Sequence, residues 1–405
     1  MSDFHINSLR PYQNRAIRGV YDSLRHHQAT MLQLPTGSGK SHIAAAIFEH
    51  GLQQGKRIGF IVDRLTLADQ ITDRLYEHQL PFGVVQGDHP LWHPDRPLQI
   101  CSVQTLAKRG RNSWPPCDLY FVDEAHCHYN VFNEMREHWP HIKWIGLSAT
   151  PFTTGLGLFY EDLVVGSTAS ELMDLGYLSG YEAYGPSAPD LSGIRHSNGD
   201  YSPTDLEERM TAITGDIVSH YKDHALGKKA LAFTPTVAYA EFLADQFNSA
   251  GVTADYVCGK DSEERRQDVL SRYRSGEIKV LTNCEVLTKG YDQPDIEVGI
   301  LARPTRSLSL HIQMLGRLLR KADGKDKALI LDHAGNIARL GFPDDDLPQV
   351  LNDQERGVSQ TDRRERDEPQ PWACPNCSFM VPPGNRVCTA CGFKPVRNEV
   401  CLLYT

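Results

Sequence analysis

Leu34-Pro35-Thr36-Gly37-Ser38-Gly39-Lys40-Ser41 lies between a short apolar run, Met31 to Leu34, and a segment with Ile43, Ile47 and Phe48 at helical spacing. Strand, glycine-containing turn and helix is the context that a phosphate-binding loop requires. Gly37 and Gly39 let backbone N–H groups close on phosphate oxygens, and the start of the following helix adds partial positive charge. Lys40 can reach the β- and γ-phosphates and Ser41 can hold Mg²⁺, so Thr36, Gly37, Ser38, Gly39, Lys40 and Ser41 are the expected triphosphate contacts. Leu34 stands where the general pattern G-x-x-x-x-G-K-[ST] begins with glycine. Taken alone, the stretch also reads as a glycine turn before an ordinary helix; the rest of the chain decides.

The 405 residues can form two or three domains with real cores, and 40% hydrophobic with 23% charged residues is the balance of a globular protein. No apolar run approaches a membrane span and the first residues do not form a signal peptide, so a cytoplasmic setting without membrane contact is expected. The net charge of −9 provides no global basic field, which argues against a purely electrostatic nucleic-acid binder. Any polyanion contact must be local to loops.

Around the loop, hydrophobic strands alternate with amphipathic helices. The predicted strands are Ile58 to Val62, Leu98 to Val103, Leu119 to Val122 and Trp144 to Leu147, with a helix carrying Leu65, Leu67, Ile71 and Leu75. Polar clusters follow them: Gln104-Thr105, Asp123-Glu124-Ala125-His126 and Ser148-Ala149-Thr150. In open α/β sheets, ligands bind beyond the carboxyl ends of strands. Asp123 is expected to hold Mg²⁺ and Glu124 to activate water. Ahead of the loop, in Leu9-Arg10-Pro11-Tyr12-Gln13, the Tyr12 ring and the Gln13 carboxamide could stack on adenine and bond its edge, or the stretch simply starts a helix near Pro11. His126, Cys127, His128, His138 and His141 lack the two-pair spacing of a metal site.

From Gly180 to Asp205 the sequence turns polar, reading as an interdomain connection or surface insertion. A second series follows with strands Ala230 to Phe233, Ala254 to Val257, Ile278 to Leu281, Val298 to Leu301 and Ala328 to Leu331, and helices Val237 to Ala250 and Glu263 to Ser275. It has no second glycine-lysine loop. Gln313, Arg317 and Arg320 recur at i, i+4 and i+7 and are expected on one helix face. Two arginines so placed could act on a triphosphate as arginine fingers, although an amphipathic basic helix needs no such role.

Residues 341–371 carry nine acids and four arginines, which predicts a flexible acidic linker. Beyond it, Cys374-Pro375-Asn376-Cys377 and Cys388-Thr389-Ala390-Cys391 predict a Cys₄ zinc ribbon. So small a module needs the metal for its fold, and doubled knuckles without a thioredoxin-like unit argue against redox use. Arg386, Lys394 and Arg397 with no acid nearby suit either nucleic-acid backbone contact or protein docking.

The ordered set resembles the helicases and translocases of superfamily two, and Asp123-Glu124-Ala125-His126 is their DEAH spelling. Leu9 to Gln13 is similar to their adenine-recognition element, Pro35 to Ser41 to their first motif, and Thr288 to Asp292 and Gln313 to Arg320 to their fifth and sixth. Within that superfamily the chain resembles RadD-type bacterial DNA repair ATPases through Gly176-Tyr177-Leu178, Ala302-Arg303-Pro304-Thr305, Ile330 to Asn336 and the cysteine knuckles, and it is shorter than that family. The resemblance, over residues 5–335, implies an α/β fold of two tandem RecA-like parallel-sheet domains with a C-terminal zinc ribbon. It divides the chain into domain 1 (1–165), a connecting segment (166–212), domain 2 (213–340), the linker (341–371) and the ribbon (372–397).

The same resemblance implies a catalytic set of Lys40, Asp123, Glu124, Gln313, Arg317 and Arg320. Gly290 and Asp292 join the nucleotide contacts, and His126, Ser148 and Thr150 couple hydrolysis to movement. Arg64, Thr105, Thr234 and Lys289 would touch nucleic acid. The function implied is an ATP-dependent DNA helicase or translocase in repair or recombination, in a bacterial or phage-infected cell and near the nucleoid. ATP, Mg²⁺ and Zn²⁺ would be its cofactors, single-stranded or branched DNA its substrate, and replication or recombination proteins partners of the ribbon or linker. Alternatives are a translocase that remodels protein–DNA complexes without unwinding and an ATPase scaffold that recruits partners through the ribbon. Action on RNA is the weaker expectation.

Overall fold

Seven short segments in the first part of the chain are mainly apolar, and the strands among them that are buried on both faces need that composition. They are β1 (Ala29–Gln33), β2 (Ile58–Val62), β3 (Phe82–Val85), β4 (Leu98–Ser102), β5 (Leu119–Asp123), β6 (Lys143–Ser148) and β7 (Asp162–Val165). In the computed structural model they form one parallel sheet in the order β3-β4-β2-β5-β6-β1-β7. The structure describes residues 9–63, 72, 75–76, 79–111, 114–197, 199–286, 293–353 and 370–395. The expected helix over Leu65 to Leu75 falls almost wholly outside them.

Helices α1 (Pro11–Leu24) and α2 (Lys40–Gln53) flank β1 in sequence. One face of the sheet packs on an aromatic cluster in which Tyr120 stacks on Trp144 with ring centroids 4.9 Å apart, joined by Phe132, Phe159 and Tyr160. Gly59 and Gly146 admit this packing: an added Cβ would come 2.2 Å from the Tyr120 ring and 2.7 Å from Tyr160.

The chain divides into two compact units, the first running to Leu178 and the second opening at Ser179. The second sheet is also parallel, in the order β12-β13-β11-β14-β15-β8. Its strands are β8 (Gly180–Tyr184), β11 (Ala230–Phe233), β12 (Ala254–Val257), β13 (Val280–Asn283), β14 (Val298–Leu301) and β15 (Lys327–Asp332), with a hairpin of β9 (His196–Ser197) and β10 (Asp200–Tyr201) between β8 and β11. The sequence reading has a polar connection where β8 stands. Gly-Tyr-Glu-Ala-Tyr is half apolar because an edge strand needs only one buried face.

Helix Leu308–Leu318 ends before Arg320, so Gln313 and Arg317 share its face and Arg320 does not. Its end is set by Lys325, 7% exposed, whose ammonium donates to the carbonyls of Leu318, Arg320 and Pro294 and so takes up helix-terminal acceptors. The described part of the acidic linker is also not loose. Leu351 packs on the first unit's core, and the Gly157 N–H donates to the Asn352 carbonyl at 2.8 Å. Residues 354–369 lie outside the described residues.

Candidate nucleotide site and cysteine cluster

The loop after β1 is braced from below by α1. The Tyr12 hydroxyl and the Gln13 amide nitrogen both donate to the Ser38 carbonyl, at 2.5 and 3.0 Å, while Gln13 Oε1 accepts the Arg10 N–H. Gly39 has φ +82°, and a Cβ there would come 2.6 Å from Gln13 Nε2, so two constraints select glycine. Tyr12 is 1% exposed and its ring centroid lies 5.3 Å from that of Tyr177, over which the Arg10 guanidinium sits at 4.4 Å. Tyr12 and Gln13 therefore brace the loop, and the Arg10–Tyr177 pair provides the more open flat surface beside it. Sequence reasoning did not give Tyr177 a role; the aromatic in Gly176-Tyr177-Leu178 was the available signal.

Lys40 opens α2, and its ammonium donates to the carbonyls of Leu34 and Pro35 at 3.1 and 3.3 Å. Thr36 and Gly37 lie in the turn before it, and Ser41 is in the first turn of α2. Ser38 Oγ is buried with no bond partner among the described residues, an orphan polar group of the kind a ligand oxygen satisfies.

Asp123 ends β5, two strands from β1 in the same sheet. Burial and the neighbouring Glu124 charge push its carboxyl up to about 6, against the pull of Lys40 and His126. Glu124 follows in the left-handed region with φ 48°, a conformation that costs a non-glycine residue on the order of 1 kcal/mol. His126 Nδ1 stands 3.3 Å from Glu124 Oε2 and 3.2 Å from Ser148 Oγ, which accepts the Thr150 N–H at 3.0 Å. Burial alone would lower the His126 pKa, but bonds to Cys127 and Glu124 and the Glu124 charge outweigh it and lift it to about 9. At neutral pH the imidazolium thus links the acidic pair after β5 to the Ser148–Thr150 segment after β6. Thr150 Oγ1 is buried without a bond partner among the described residues.

Other expected residues are placed differently. Thr105 lies in helix Val103–Arg109, where its hydroxyl accepts the Gly87 N–H at 3.2 Å. Thr234 is 1% exposed and its hydroxyl donates to the Asn283 carbonyl at 2.9 Å, so that side chain does not offer the surface contact expected of it. Arg64, Lys289, Gly290 and Asp292 lie outside the described residues. Gln313 and Arg317 are each 5% exposed, whereas Arg320 is half-buried. One anchor of their helix was not foreseen. Asp200 of the hairpin accepts the Thr305 hydroxyl at 2.6 Å and the Arg306 N–H at 2.7 Å, just ahead of the Ser307 cap. Gly199, with φ +81°, is the local signal of a turn, but it does not state where the aspartate docks.

The four cysteines of the C-terminal segment bring their sulfurs within 4.8 Å of one another. Cys374 and Cys391 sulfurs are 3.6 Å apart, and those of Cys377 and Cys388 3.7 Å. A tetrahedron with bonds of about 2.3 Å has edges of about 3.8 Å, so these spacings fit a Zn²⁺ thiolate site. The knuckles are matched: Ser378 N–H donates to the Cys374 carbonyl and Gly392 N–H to that of Cys388, with φ +60° and +75°. The segment is docked on the second unit. Tyr184 at the end of β8 bridges to Phe379, and the Gly185 N–H donates to the Ser378 carbonyl at 2.8 Å.

A phosphate loop, an acidic pair at the end of a strand two places away in the same sheet and a second parallel sheet define a nucleotide-hydrolysing motor protein. Residues 6–153 match the family model described as "Type III restriction enzyme, res subunit" and residues 212–322 that of "Helicase conserved C-terminal domain". The chain is 31% identical over 368 residues to a 51.5 kDa protein of a Lactococcus phage, covering 89% of this chain and 77% of that one. It is 30% identical over 358 residues to the Saccharomyces cerevisiae protein provisionally named ATP-dependent helicase IRC3, covering 81% of this chain but only 51% of the relative. Among solved structures, a fragment provisionally assigned as an HsdR subunit of a type I restriction enzyme from Vibrio vulnificus shares the fold. Its TM-score is 0.66 at 21% identity, over 83% of this chain and 66% of that one. The chain belongs to the superfamily-two helicases, a class of nucleic-acid-dependent ATPases.

Proposed function

We propose that this chain is an ATP-driven DNA motor of the DEAH kind that couples hydrolysis to movement on single-stranded or branched DNA, in repair or recombination. The observation that carries the reading is the continuous contact Glu124–His126–Ser148, which ties the acidic pair to the segment after the next strand. DNA is favoured over RNA because the first half matches a family described for a restriction-enzyme subunit, and restriction enzymes act on DNA.

Backbone N–H groups of Thr36 to Lys40 and the Lys40 ammonium bind the phosphates, and Arg10 with Tyr177 flanks the base. Ser41 and Asp123 would hold Mg²⁺, which when bound neutralises phosphate charge. Glu124 takes the proton of the attacking water as its oxygen bonds to the γ-phosphorus and the bond to the β-phosphate oxygen breaks. His126 passes the change at Glu124 to Ser148 and Thr150. Gln313, Arg317 and Arg320, with Gly290 and Asp292, complete the nucleotide contacts, the arginines stabilising transition-state charge. Arg64, Thr105 and Lys289 contact the nucleic-acid backbone. Cys374, Cys377, Cys388 and Cys391 would hold Zn²⁺, which stabilises the small ribbon.

Steady-state ATP turnover with single-stranded DNA, forked DNA, duplex DNA and RNA tests the reading. DNA, above all forked or single-stranded DNA, is expected to stimulate wild type. Glu124→Gln should still bind ATP and DNA but lose turnover by about a hundredfold or more. Wild-type turnover in Glu124→Gln, or stimulation by RNA alone, would overturn the assignment.

A further inference from the structure

At the amino-terminal ends of the first sheet's strands, away from the phosphate loop, α1 and α2 diverge over a cavity of about 890 Å³. Cavities of roughly 300–1,000 Å³ are those that hold small ligands. Asn14, Arg18, Tyr21 and Arg25 lie along one stripe of α1 and its C-cap, and Ile47, His50, Gly51 and Gln54 form the facing stripe of α2. The first residues of β2, β5 and β6 close the base. Leu24, Ile47, Ile58 and Leu119 give it an apolar floor.

Its charge is one-sided. Arg18, Arg25, Lys56 and Lys143 line it against a single acid, Asp118. Asp118 stands 3.7 Å from Lys56, and Arg25 pairs with Asp22 at 3.0 Å. Arg18 has no bond partner among the described residues, and Lys143 donates to the neutral carbonyl of His27 at 2.8 Å. Arg25 and Lys56 are explained by the helix C-termini beside them, where cations are favoured. Arg18, in the middle of α1, has no such explanation, and Lys143, at the start of β6, gives only one of its three N–H groups to the His27 carbonyl in the turn after α1. The Gln54 amide nitrogen donates to His50 Nε2 and the His50 Nδ1–H donates to the Tyr21 hydroxyl oxygen, each at 3.0 Å, which fixes α2 against α1 along this wall. Tyr21, pushed by burial up to about 12, stays protonated and can donate.

We propose that this cavity binds an organic anion, a flat apolar body carrying a sulfonate, carboxylate or phosphate, with the body on the Leu24–Ile47–Ile58–Leu119 floor and the anionic group between Arg18 and Lys143. The site is separate from the phosphate loop. α1 nevertheless reaches both, since its first turn holds the Ser38 carbonyl through Tyr12 and Gln13 while its second half lines the cavity.

The test uses 8-anilinonaphthalene-1-sulfonate as probe, titrated into the full chain by fluorescence with a saturating non-hydrolysable ATP analogue and Mg²⁺ present. A saturable, blue-shifted signal that the analogue does not displace is expected. Arg18→Glu with Lys143→Glu should weaken the probe about tenfold or more, the equivalent of about 1.4 kcal/mol. Leu24→Trp, which fills the floor, should abolish the signal. Each variant is first shown to keep the wild-type circular dichroism and melting, and Arg18→Gln with Lys143→Gln replaces the reversal if that pair fails to fold. No saturable signal, displacement by the ATP analogue, or wild-type affinity in the folded charge variants would overturn the site.

Discussion

His126 holds a proton where burial alone would remove it, because Glu124 stands 3.3 Å away and Cys127 adds a hydrogen bond. Its pKa of about 9 in the fold exceeds the ordinary 6.5, so the folded protein binds the proton more tightly than the unfolded chain does. The stabilisation is full below about pH 6.5 and disappears as pH rises through about 9; at most it amounts to about 3 kcal/mol. His126→Gln should therefore melt several degrees below wild type at pH 6, and the gap should close by pH 10. A gap independent of pH would mean that His126 contributes packing rather than charge. The placement of single residues was legible wherever a motif fixes it: Lys40 opens its helix, Asp123 ends its strand and Glu124 follows it. Tyr12 and Gln13 were legible as residues ahead of the loop but not as its braces. That both would converge on the Ser38 carbonyl depends on how α1 packs, which one sequence does not state.

Strands buried on both faces announced themselves as apolar runs, and β2, β11 and β14 have the limits read from the sequence, as does β12, a half-buried edge strand. Other edge elements did not. β7 and β8 border their sheets with Asp162 and Glu182 in them, and the apolar contrast that marks a strand is halved there. The end of helix Leu308–Leu318 was missed for a different reason. Lys325 terminates it from seven residues beyond Leu318, and a capping group so far along the chain leaves no local signal. The helix is positioned as a unit: Asp200 holds Thr305 and Arg306, Thr305 Oγ1 accepts the Ser307 N–H, and Ser307 caps Leu310. Arg317→Ala should leave ATP binding near wild type and lower DNA-stimulated kcat by about 10³-fold, following arginine-finger behaviour. Asp200→Ala touches no nucleotide, so it should lower kcat less, by about tenfold, with KM for ATP little changed, and Asp200→Asn should restore part of the loss. Equal effects on kcat and KM would show that Asp200 serves general stability and not the setting of this helix.

The chain as a whole leaves its second unit at Phe342, lays residues 343–353 on the first, and returns to the second with the cysteine segment. Both parallel sheets are complete before Gly341, so a chain ending near Pro371 should fold and keep basal ATPase. The ribbon is nonetheless docked, and its seat is narrow. A Cβ on Gly185 would come 2.5 Å from Met380 Sδ and 3.7 Å from Ala373 Cβ, while the Tyr184 ring packs edge-on to Phe379 at 5.6 Å. Holding zinc and holding the seat are therefore separable. Gly185→Val should keep the zinc, because it touches no cysteine, but displace the ribbon. Cys388→Ser should lose the zinc and the ribbon fold together, since three thiolates rarely hold so small a module. Zinc by elemental analysis, Trp372 emission and the rate of proteolysis within residues 354–369 distinguish the two. The expected pattern is wild-type zinc with faster cleavage for Gly185→Val, and low zinc with shifted Trp372 emission for Cys388→Ser. If docking also sets which DNA the motor engages, Gly185→Val and the truncation will share one altered preference among single-stranded, forked and duplex DNA while basal turnover stays unchanged. Loss of basal ATPase in Gly185→Val would instead make the docked ribbon part of the catalytic body, because that substitution leaves the phosphate loop, the acidic pair and helix Leu308–Leu318 untouched.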